Sequence, residues 1–431
     1  MSQDIRGGTA AAALLTAGTP VRDAVAVADP RAWLALDEGA RRPDWRTPDG
    51  LTYGERVVTP RTDLSPLDEP RLALALCHRD GRTREAALRP AARHAVLLPL
   101  VVVRCADWAA PVRERAREVL RERLDAAGAL TLAPLILLLA RRERGRFAAD
   151  LLTELLRAGP RGTLTGLRSH PDISVRRFAH RLAVEGKLLS PAELARTAHR
   201  DPDNVVQRLC ADAALACLAA GGGDHEDVLE PLLTARGPAV RAAGVTALRR
   251  AGLPERAVGF LADRAAVVRA CARYVVRQHG GDPAAWYREW CAAPTVLAPG
   301  AVLGLAECGD RADADVLWPL VRHRDARVRS RAVAGLRMLD ADDVQRLWPL
   351  LDDPAPGVVR EVVAAVLPSA EAVPAPWLTE RLGAGWPAHV RWAAFRLLVL
   401  RDGDLRRGAL LALRDDPDVA LRERAAQVAE L

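Results

Sequence analysis

The stretch LWPLVRHRDARVRSRAVAGL at residues 317–336 contains the pattern that decides the fold of this chain. Its core is an apolar residue, an arginine, two variable residues and a small residue, here Val328, Arg329 and Ala332. The tetrapeptide LWPL at 317–320 returns at 347–350. Clear copies of the core pattern have their arginines at Arg113, Arg176, Arg241, Arg269, Arg329, Arg360, Arg391 and Arg422. The last four are 31 residues apart, and looser copies at Arg84, Arg146, Gln207 and Val302 fill the gaps. We therefore predict twelve units of about 31 residues.

The spacing within each unit predicts a pair of helices. The apolar residue, the small residue and a later Leu or Val recur at i, i+4 and i+7 or i+8, which places them on one helix face. The small residue lets another helix approach closely. A second apolar segment precedes each copy, as at 316–321 and 344–351, and its proline is expected to kink that helix or mark its start. No strand-like alternation appears, so the predicted fold class is all-α.

These units resemble HEAT repeats, especially the short bacterial HEAT-like kind, over residues 71–431. The resemblance is carried by the helix-pair length, by Val-Arg-x-x-Ala opening the second helix, and by an aspartate six residues before the arginine. That aspartate is present at Asp107, Asp201, Asp263 and Asp416, whereas His78, His170, His323 and Gly385 replace it elsewhere. The resemblance implies an α-solenoid, a right-handed superhelix with a concave groove that serves as a binding surface.

The recurring arginine and aspartate allow two interpretations. They could form a row of ligand contacts, or they could connect each turn to the neighbouring unit through charge-assisted hydrogen bonds. Their presence in nearly every unit favours the structural interpretation, because a binding site is more often local and irregular.

Composition and charge narrow the class of protein. The chain has 431 residues, half of them apolar, and a formal net charge of +7, which excludes collagen-like and disordered chains. Seven scattered cysteines without a C-x-x-C pair indicate buried thiols in a reducing cytoplasm. We expect no signal peptide and no membrane span, since the longest apolar runs, near 95–103 and 130–140, contain prolines and are too short.

Residues 1–70 do not fit the repeat, and we expect an irregular N-terminal cap or arm there. Short helices are predicted at 9–15 and 30–40, followed by a stretch punctuated by prolines and containing Trp45 and Tyr53. The segment either covers the exposed apolar face of the first unit or occupies the groove. The repeat region, 71–431, divides by charge into a basic half at 71–260 and a neutral half at 261–431.

The sequence contains no recognisable catalytic motif. It lacks a phosphate-binding glycine loop, a nucleophile elbow and an HExxH zinc pair, and its nine histidines lie apart. Cys210 and Cys217 share a helix face but have no further ligands nearby. We therefore expect no catalytic residues, no metal and no cofactor.

The basic half contains the strongest candidate binding residues. Arg113, Arg117 and Arg121 lie on one stripe, where Glu114–Arg117 and Glu118–Arg121 could pair. The candidate groove arginines have few acidic neighbours and are Arg141, Arg142, Arg144, Arg146, Arg177 and Arg181. A positive strip here would suit phosphates or an acidic partner, and a solvated surface is the alternative.

Tryptophans are concentrated in the neutral half instead. Trp318 and Trp348 recur at matched positions and are predicted to be core residues. The others match no repeated position, so we interpret them as possible anchors for a protein partner: Trp286, Trp290, Trp386 and Trp392.

Three functions remain open at this point. The first is a non-enzymatic scaffold that binds a protein or peptide in its groove, and the second is nucleic-acid binding by the basic units. The third is a DNA glycosylase, as in a bacterial HEAT-like alkylpurine glycosylase family, but no catalytic carboxylate can be placed. Oligomeric state is left undetermined.

Overall fold

The fold is all-α throughout the part of the chain that the structure describes. A computed structural model describes residues 2–42, 51–53, 55, 67–159, 161–293, 297–401 and 403–429. Within these ranges no segment forms an extended strand, so the predicted fold class is confirmed. The proline-rich stretch with Trp45 lies almost entirely outside the described residues. No described helix combines the length and the apolar character needed to cross a bilayer.

The chain divides into two compact units. The first comprises residues 1–190 and 201–210, and the second comprises 191–200 and 211–431. The helices of the first unit are α1 Ser2–Thr16, α2 Val21–Ala24, α3 Pro30–Ala40, α4 Glu69–Leu76, α5 Gly81–Ala91, a 3-10 turn Ala95–Leu97, α6 Leu98–Arg104, α7 Ala110–Arg123, α8 Ala126–Leu139, α9 Arg146–Ala158, α10 Arg161–Arg168 and α11 Ile173–Glu185.

The second unit continues the same alternation of helices. It begins with α12 Pro191–Arg200, and α13 Asn204–Ala219 contributes residues to both units. Its further helices are α14 His225–Leu233, α15 Pro238–Leu248, α16 Ala266–Gln278, α17 Pro283–Ala292, α18 Pro299–Cys308, α19 Ala314–Leu317, α20 Ala326–Met338, α21 Val344–Leu347, α22 Pro356–Val366, α23 Ala375–Glu380, α24 Ala388–Leu398, α25 Asp404–Ala412 and α26 Val419–Ala429. The 3-10 segments are Pro254–Ala262, Arg311–Asp313, Trp318–Arg322, Trp348–Asp352 and Leu367–Ala372.

Helix pairs stack in chain order within each unit. In the first unit, α4 and α5 pack on each other as one pair. Between pairs, α4 packs on α6 and α5 packs on α7. In the second unit, α18 packs on α20, and α20 packs on α22. First helices thus contact first helices, and second helices contact second helices, which is the arrangement of an α-solenoid. The stacking of helix pairs is as the HEAT-like resemblance implies. The short bacterial type of repeat, the number of twelve repeats and the right-handed superhelix remain predictions.

Local sequence accounts for where the helices begin. Asp80, Asp172 and Asp325 precede second helices, and their side chains accept hydrogen bonds from N–H groups of the first turn. Elsewhere a proline stands in the first turn, where its missing N–H costs nothing, as in α18 and α22. Pro319 and Pro349 follow α19 and α21, each of which continues as a 3-10 turn. These prolines therefore interrupt the first helix, as predicted.

The described part of the N-terminal segment packs into the core of the first unit. The helix expected at 9–15 extends over Ser2–Thr16, whereas α3 has the predicted bounds. The two helices approach so closely that a Cβ at Gly8 or Gly39 would overlap the backbone of the other. Trp33 of α3 is buried in the same core as the repeat helices of the first unit. Its Nε1 donates to the carbonyl of Val27 at 3.1 Å. The role of residues 1–70 as a cap stays a proposal.

Alanine, leucine and valine dominate both cores. Ala332 and Val328 of α20 are fully buried, together with Leu317 and Leu336. Close approach is also built into α18, where a Cβ at Gly304 would overlap the ring of buried Tyr287. The core therefore tolerates few larger side chains at these small positions.

Candidate interaction surface

The recurring arginine, which we call the ladder arginine, closes the turn of its own unit. Its Nη1 donates to the carbonyl oxygen six residues earlier, at 2.8 to 3.0 Å in six copies: Arg84 to His78, Arg113 to Asp107, Arg176 to His170, Arg241 to Ala235, Arg269 to Asp263 and Arg329 to His323. Arg422 makes the same bond to Asp416 at 2.5 Å. Gln207 replaces the arginine in one unit and donates to the carbonyl of Asp201 at 2.6 Å. Because the acceptor belongs to the main chain, the residue at this position need not be aspartate. This explains the histidines found there.

The Nε and Nη2 atoms of the ladder arginine usually donate to a carboxylate of the next repeat. These pairs join residues 22 to 25 apart and are Arg84–Asp107, Arg241–Asp263, Arg329–Asp353 and Arg391–Asp416. Each aspartate also accepts the N–H of the residue two positions later, which fixes the turn just before the following second helix. The structural interpretation of the arginine and aspartate is therefore confirmed at these positions.

Burial and hydrogen bonding act in opposite directions on these carboxylates. Burial alone would raise the pKa of Asp107, but hydrogen bonds from Arg84 and the charge of Arg104 outweigh it and lower that pKa. The pKa values of Asp263 and Asp416 are lowered in the same way by Arg241 and Arg391. These three aspartates thus stay ionised and paired with their arginines, which removes both partners of each pair from the candidate binding residues.

The predicted positive strip of the first unit is more neutralised than its sequence indicates. Arg177 forms a bidentate pair with Asp203, with nitrogen–oxygen distances of 2.5 and 2.9 Å. Arg141 donates to the hydroxyl of Ser174 at 3.1 Å. Four other candidate arginines are exposed and form no ion pair with a described residue: Arg142, Arg144, Arg146 and Arg181.

The pairing expected along α7 is wrong. Arg117 and Arg121 do not pair with Glu114 and Glu118 among the described residues; their guanidinium groups lie 4.9 and 4.6 Å from the ring centre of Phe147. Glu118 pairs with Arg115 instead, at 2.7 Å. Phe147 belongs to the next repeat, so a cation–π contact between neighbouring repeats competes with ion pairing along α7.

The four candidate tryptophan anchors lie in different surroundings. Trp286 is 38% exposed, and its ring centre is 6.0 Å from that of Trp290, which packs partly against the core. Trp392 also packs against the core and meets Phe395 edge-on. Trp386 is half-buried, with the guanidinium of Arg381 at 4.4 Å. Their role as anchors remains a prediction.

The matched tryptophans, predicted to be core residues, are only partly buried and pack against the core from its edge. Trp318 is covered by the guanidinium of Arg346 at 3.6 Å from its ring centre. Trp348 meets Trp377 edge-on at 5.5 Å.

The second unit contains an open cavity that no sequence pattern predicted, which we call the tyrosine pocket. It holds about 750 Å³ and is bounded by the C-terminal parts of α13, α15 and α16. Its walls combine Leu215, Leu218 and several alanines with Tyr274, which is 46% exposed. The hydroxyl of Tyr274 accepts a hydrogen bond from Arg249 at 2.7 Å. Helical spacing could have revealed it, since Val268, Ala272 and Val275 define the buried face and Tyr274 lies off it.

A buried cysteine–histidine contact in the first unit lacks the properties of a nucleophile. The Sγ atom of Cys210 is 4.0 Å from Nδ1 of His180, whose Nε2 is 3.9 Å from Asp201. Burial raises the pKa of Cys210 to about 12 and lowers that of His180. The thiol is fully buried and protonated, so it packs as a small apolar group. The described residues contain no cluster of three His, Cys, Asp or Glu side chains suited to a metal.

Comparisons with known proteins give only distant similarity. No protein-family model and no curated protein matches the chain. Kap121p bound to Nup53p is 13% identical, with 83% of this chain and 48% of that chain covered and a TM-score of 0.34. The Kap95:Nup1 complex contains a chain that is 13% identical, with 98% of this chain and 63% of that chain covered and a TM-score of 0.36. This chain thus spans about half to two thirds of those chains. Scores this low carry no argument, and the fold class rests on the helices and packing described above.

Proposed function

We propose that this chain is a non-enzymatic HEAT-like scaffold that binds a protein or peptide partner. The tyrosine pocket is the observation that carries the proposal. Tyrosine and arginine are enriched where proteins bind one another, because they combine a large apolar area with polar groups. Tyr274 and Arg249 stand beside half-buried leucine and alanine side chains, whose remaining exposed surface a partner side chain could cover.

The ladder supports this function by holding the pocket in place. Arg241 in α15 is fixed by the carbonyl of Ala235 at 2.8 Å and by Asp263 ahead of α16. The helices that line the pocket are therefore connected by hydrogen bonds that the partner does not need to form. A pre-organised surface loses less conformational entropy on binding.

The experiment is quantitative affinity capture from cells in which the chain naturally occurs. The test variant is Tyr274→Ala with Arg249→Ala, and the control is Met338→Ala, which removes a side chain of similar exposure, 49%, from α20. We expect one saturable protein partner that the wild type and the control retain. Loss of about 2 kcal/mol in the test variant would weaken binding roughly 30-fold. Equal capture by all three proteins, or no saturable partner, would contradict the proposal.

A further inference from the structure

A second cavity of the second unit, which we call the arginine groove, is lined by basic side chains. It holds about 490 Å³ and crosses the N-terminal parts of α18, α20 and α22. Its arginines are Arg264, Arg269, Arg327, Arg331 and Arg360, and no acidic residue is among its described lining residues. Small residues form much of the remaining surface, and Leu303 adds an apolar contact.

Three of these arginines have no carboxylate partner among the described residues. Arg269 pairs with Glu307 and Arg327 with Asp325, so these two are neutralised. The exposed Arg264, Arg331 and Arg360 form no ion pair there, although Arg264 donates to the carbonyl of Arg236 at 3.3 Å.

The carboxylates adjacent in sequence to the groove residues are already engaged. Asp325 pairs with Arg327, and Glu361 lies 3.7 Å from Arg337. Asp263 binds Arg241, and Asp353 binds Arg329. The groove therefore keeps a local excess of positive charge, although residues 261–431 are neutral as a whole.

Unlike Arg329, which forms both ladder contacts, Arg360 forms neither with a described residue. It occupies the same pattern position as Arg329, yet residues 382–385, where the next carboxylate would stand, read Leu-Gly-Ala-Gly. Its side chain borders the groove instead of pairing with the following unit. The charge of Arg360 is thus left for an external carboxylate, whereas Arg329 and three other ladder arginines satisfy theirs on an aspartate of the chain.

We propose that the arginine groove binds an extended acidic segment of a protein partner. This inference rests on the scaffold function but concerns a separate surface. Guanidinium groups bind carboxylates with two parallel hydrogen bonds, which fits Asp and Glu side chains. Single-stranded nucleic acid is disfavoured because binding it without sequence preference uses aromatic stacking platforms, and no Trp, Tyr or Phe is among the described lining residues.

Helix spacing predicts the pattern of the ligand. Packed helices lie about 8–10 Å apart, and an extended chain advances about 3.3 Å per residue, so neighbouring second helices are about three residues apart along the ligand. Arg360, Arg331 and Leu303 come from the successive packed helices α22, α20 and α18. Arg264 follows Ala262, whose backbone lies against Gly300 at the start of α18. The ligand should therefore carry acidic, acidic, apolar and acidic side chains at every third position.

The test uses fluorescence anisotropy with the full chain and synthetic labelled peptides. The probe has Glu, Glu, Leu and Glu at every third position in a Gly/Ser background, made in both chain directions, and the tighter of the two is used. A peptide of identical composition with its three Glu residues adjacent is the spacing control. A thymidine oligonucleotide of similar length tests the nucleic-acid alternative.

The variants separate a specific groove from general charge. Arg331→Glu with Arg360→Glu changes the groove, and Arg277→Glu with Arg396→Glu makes the same charge change at exposed arginines outside it. Circular dichroism verifies that both variants fold. We expect at least tenfold weaker probe binding by the groove variant, a change within twofold for the control, and weaker binding of the spacing-control peptide.

Several results would overturn the inference. These are no probe binding by the wild type, equal losses in both variants, or tighter oligonucleotide binding that the groove variant abolishes. The Tyr274→Ala, Arg249→Ala variant should bind the probe normally. Failure of the probe and failure of affinity capture at the tyrosine pocket are therefore separate results.

Discussion

Removing Asp107 is the sharpest test of the ladder, because this carboxylate is the hub of a buried network. It accepts hydrogen bonds from Arg84 at 2.8 and 2.9 Å, from Arg104 at 2.8 Å and from the N–H of Ala109 at 3.0 Å. The side chains of Arg84, Asp107 and Arg104 are no more than 3% exposed. Arg104 keeps a second partner in Asp37, whereas Arg84 has no other ion-pair partner among the described residues.

Asp107→Ala therefore leaves one buried guanidinium without a counter-charge. Removing one partner of a buried pair costs about 3–5 kcal/mol, a large part of the roughly 5–15 kcal/mol that stabilises a typical domain. Arg84→Met should cost less, about 2–3 kcal/mol, because Asp107 keeps Arg104 and the N–H of Ala109. The double variant should be clearly more stable than the sum of the single effects predicts, with a coupling of about 1 kcal/mol or more.

The assay is urea denaturation followed by far-UV circular dichroism, with hydrogen exchange at α5–α7 because repeat proteins can open locally. Glu118→Ala is the control, since it removes a partly exposed Arg115–Glu118 pair in the same unit and should cost only about 0.3 kcal/mol. The reasoning is refuted if Asp107→Ala costs no more than the control. Additive effects in the double variant, within about 0.5 kcal/mol, would refute it as well.

Two further predictions concern packing and pH. Ala332→Arg should lower the free energy of unfolding by at least about 3 kcal/mol, because Ala332 is fully buried. Arg327→Ala, at an exposed side chain in the first turn of α20, should leave it nearly unchanged. Equal urea midpoints of the two variants would show that the buried and exposed faces of α20 are assigned wrongly. Because Asp107, Asp263 and Asp416 have lowered pKa values when folded, their stabilising effect is present above the ordinary value of 3.8 and is lost as the pH falls through the lowered values. Stability measured by urea titration should therefore drop below about pH 4, and Asp107→Asn, which cannot ionise, should flatten that drop.

Local signals in the sequence were sufficient for most of the helices. The predicted bounds of α3 are confirmed, with Pro30 in its first turn, and Asp325 caps the start of α20. These signals act within about one or two helix turns, so no distant residue is needed to interpret them. The structural role of the ladder arginine was also predictable, because recurrence in almost every unit is typical of a scaffold contact.

The candidate site was much less predictable. Arg177 looked free of acidic neighbours in sequence, yet Asp203, 26 residues later, binds it. Arg117 and Arg121 had glutamates within reach on their own helix but contact Phe147 instead. The spacing of residues along one helix takes no account of side chains from the neighbouring repeat that bind the same arginine. These side chains decide which charges stay exposed.

The sequence by itself determined the helical period, the pairing of first and second helices, and the small residues where they approach. These depend on interactions within about ten residues, which the repeat displays many times. Only the tertiary structure decided which ladder arginines are neutralised and that Arg177 is, because most of their partners lie in the turn of another repeat some 22 to 26 residues away. Arg329 and Arg360 share one sequence pattern, and stacking leaves the first paired with Asp353 and the second exposed at the arginine groove.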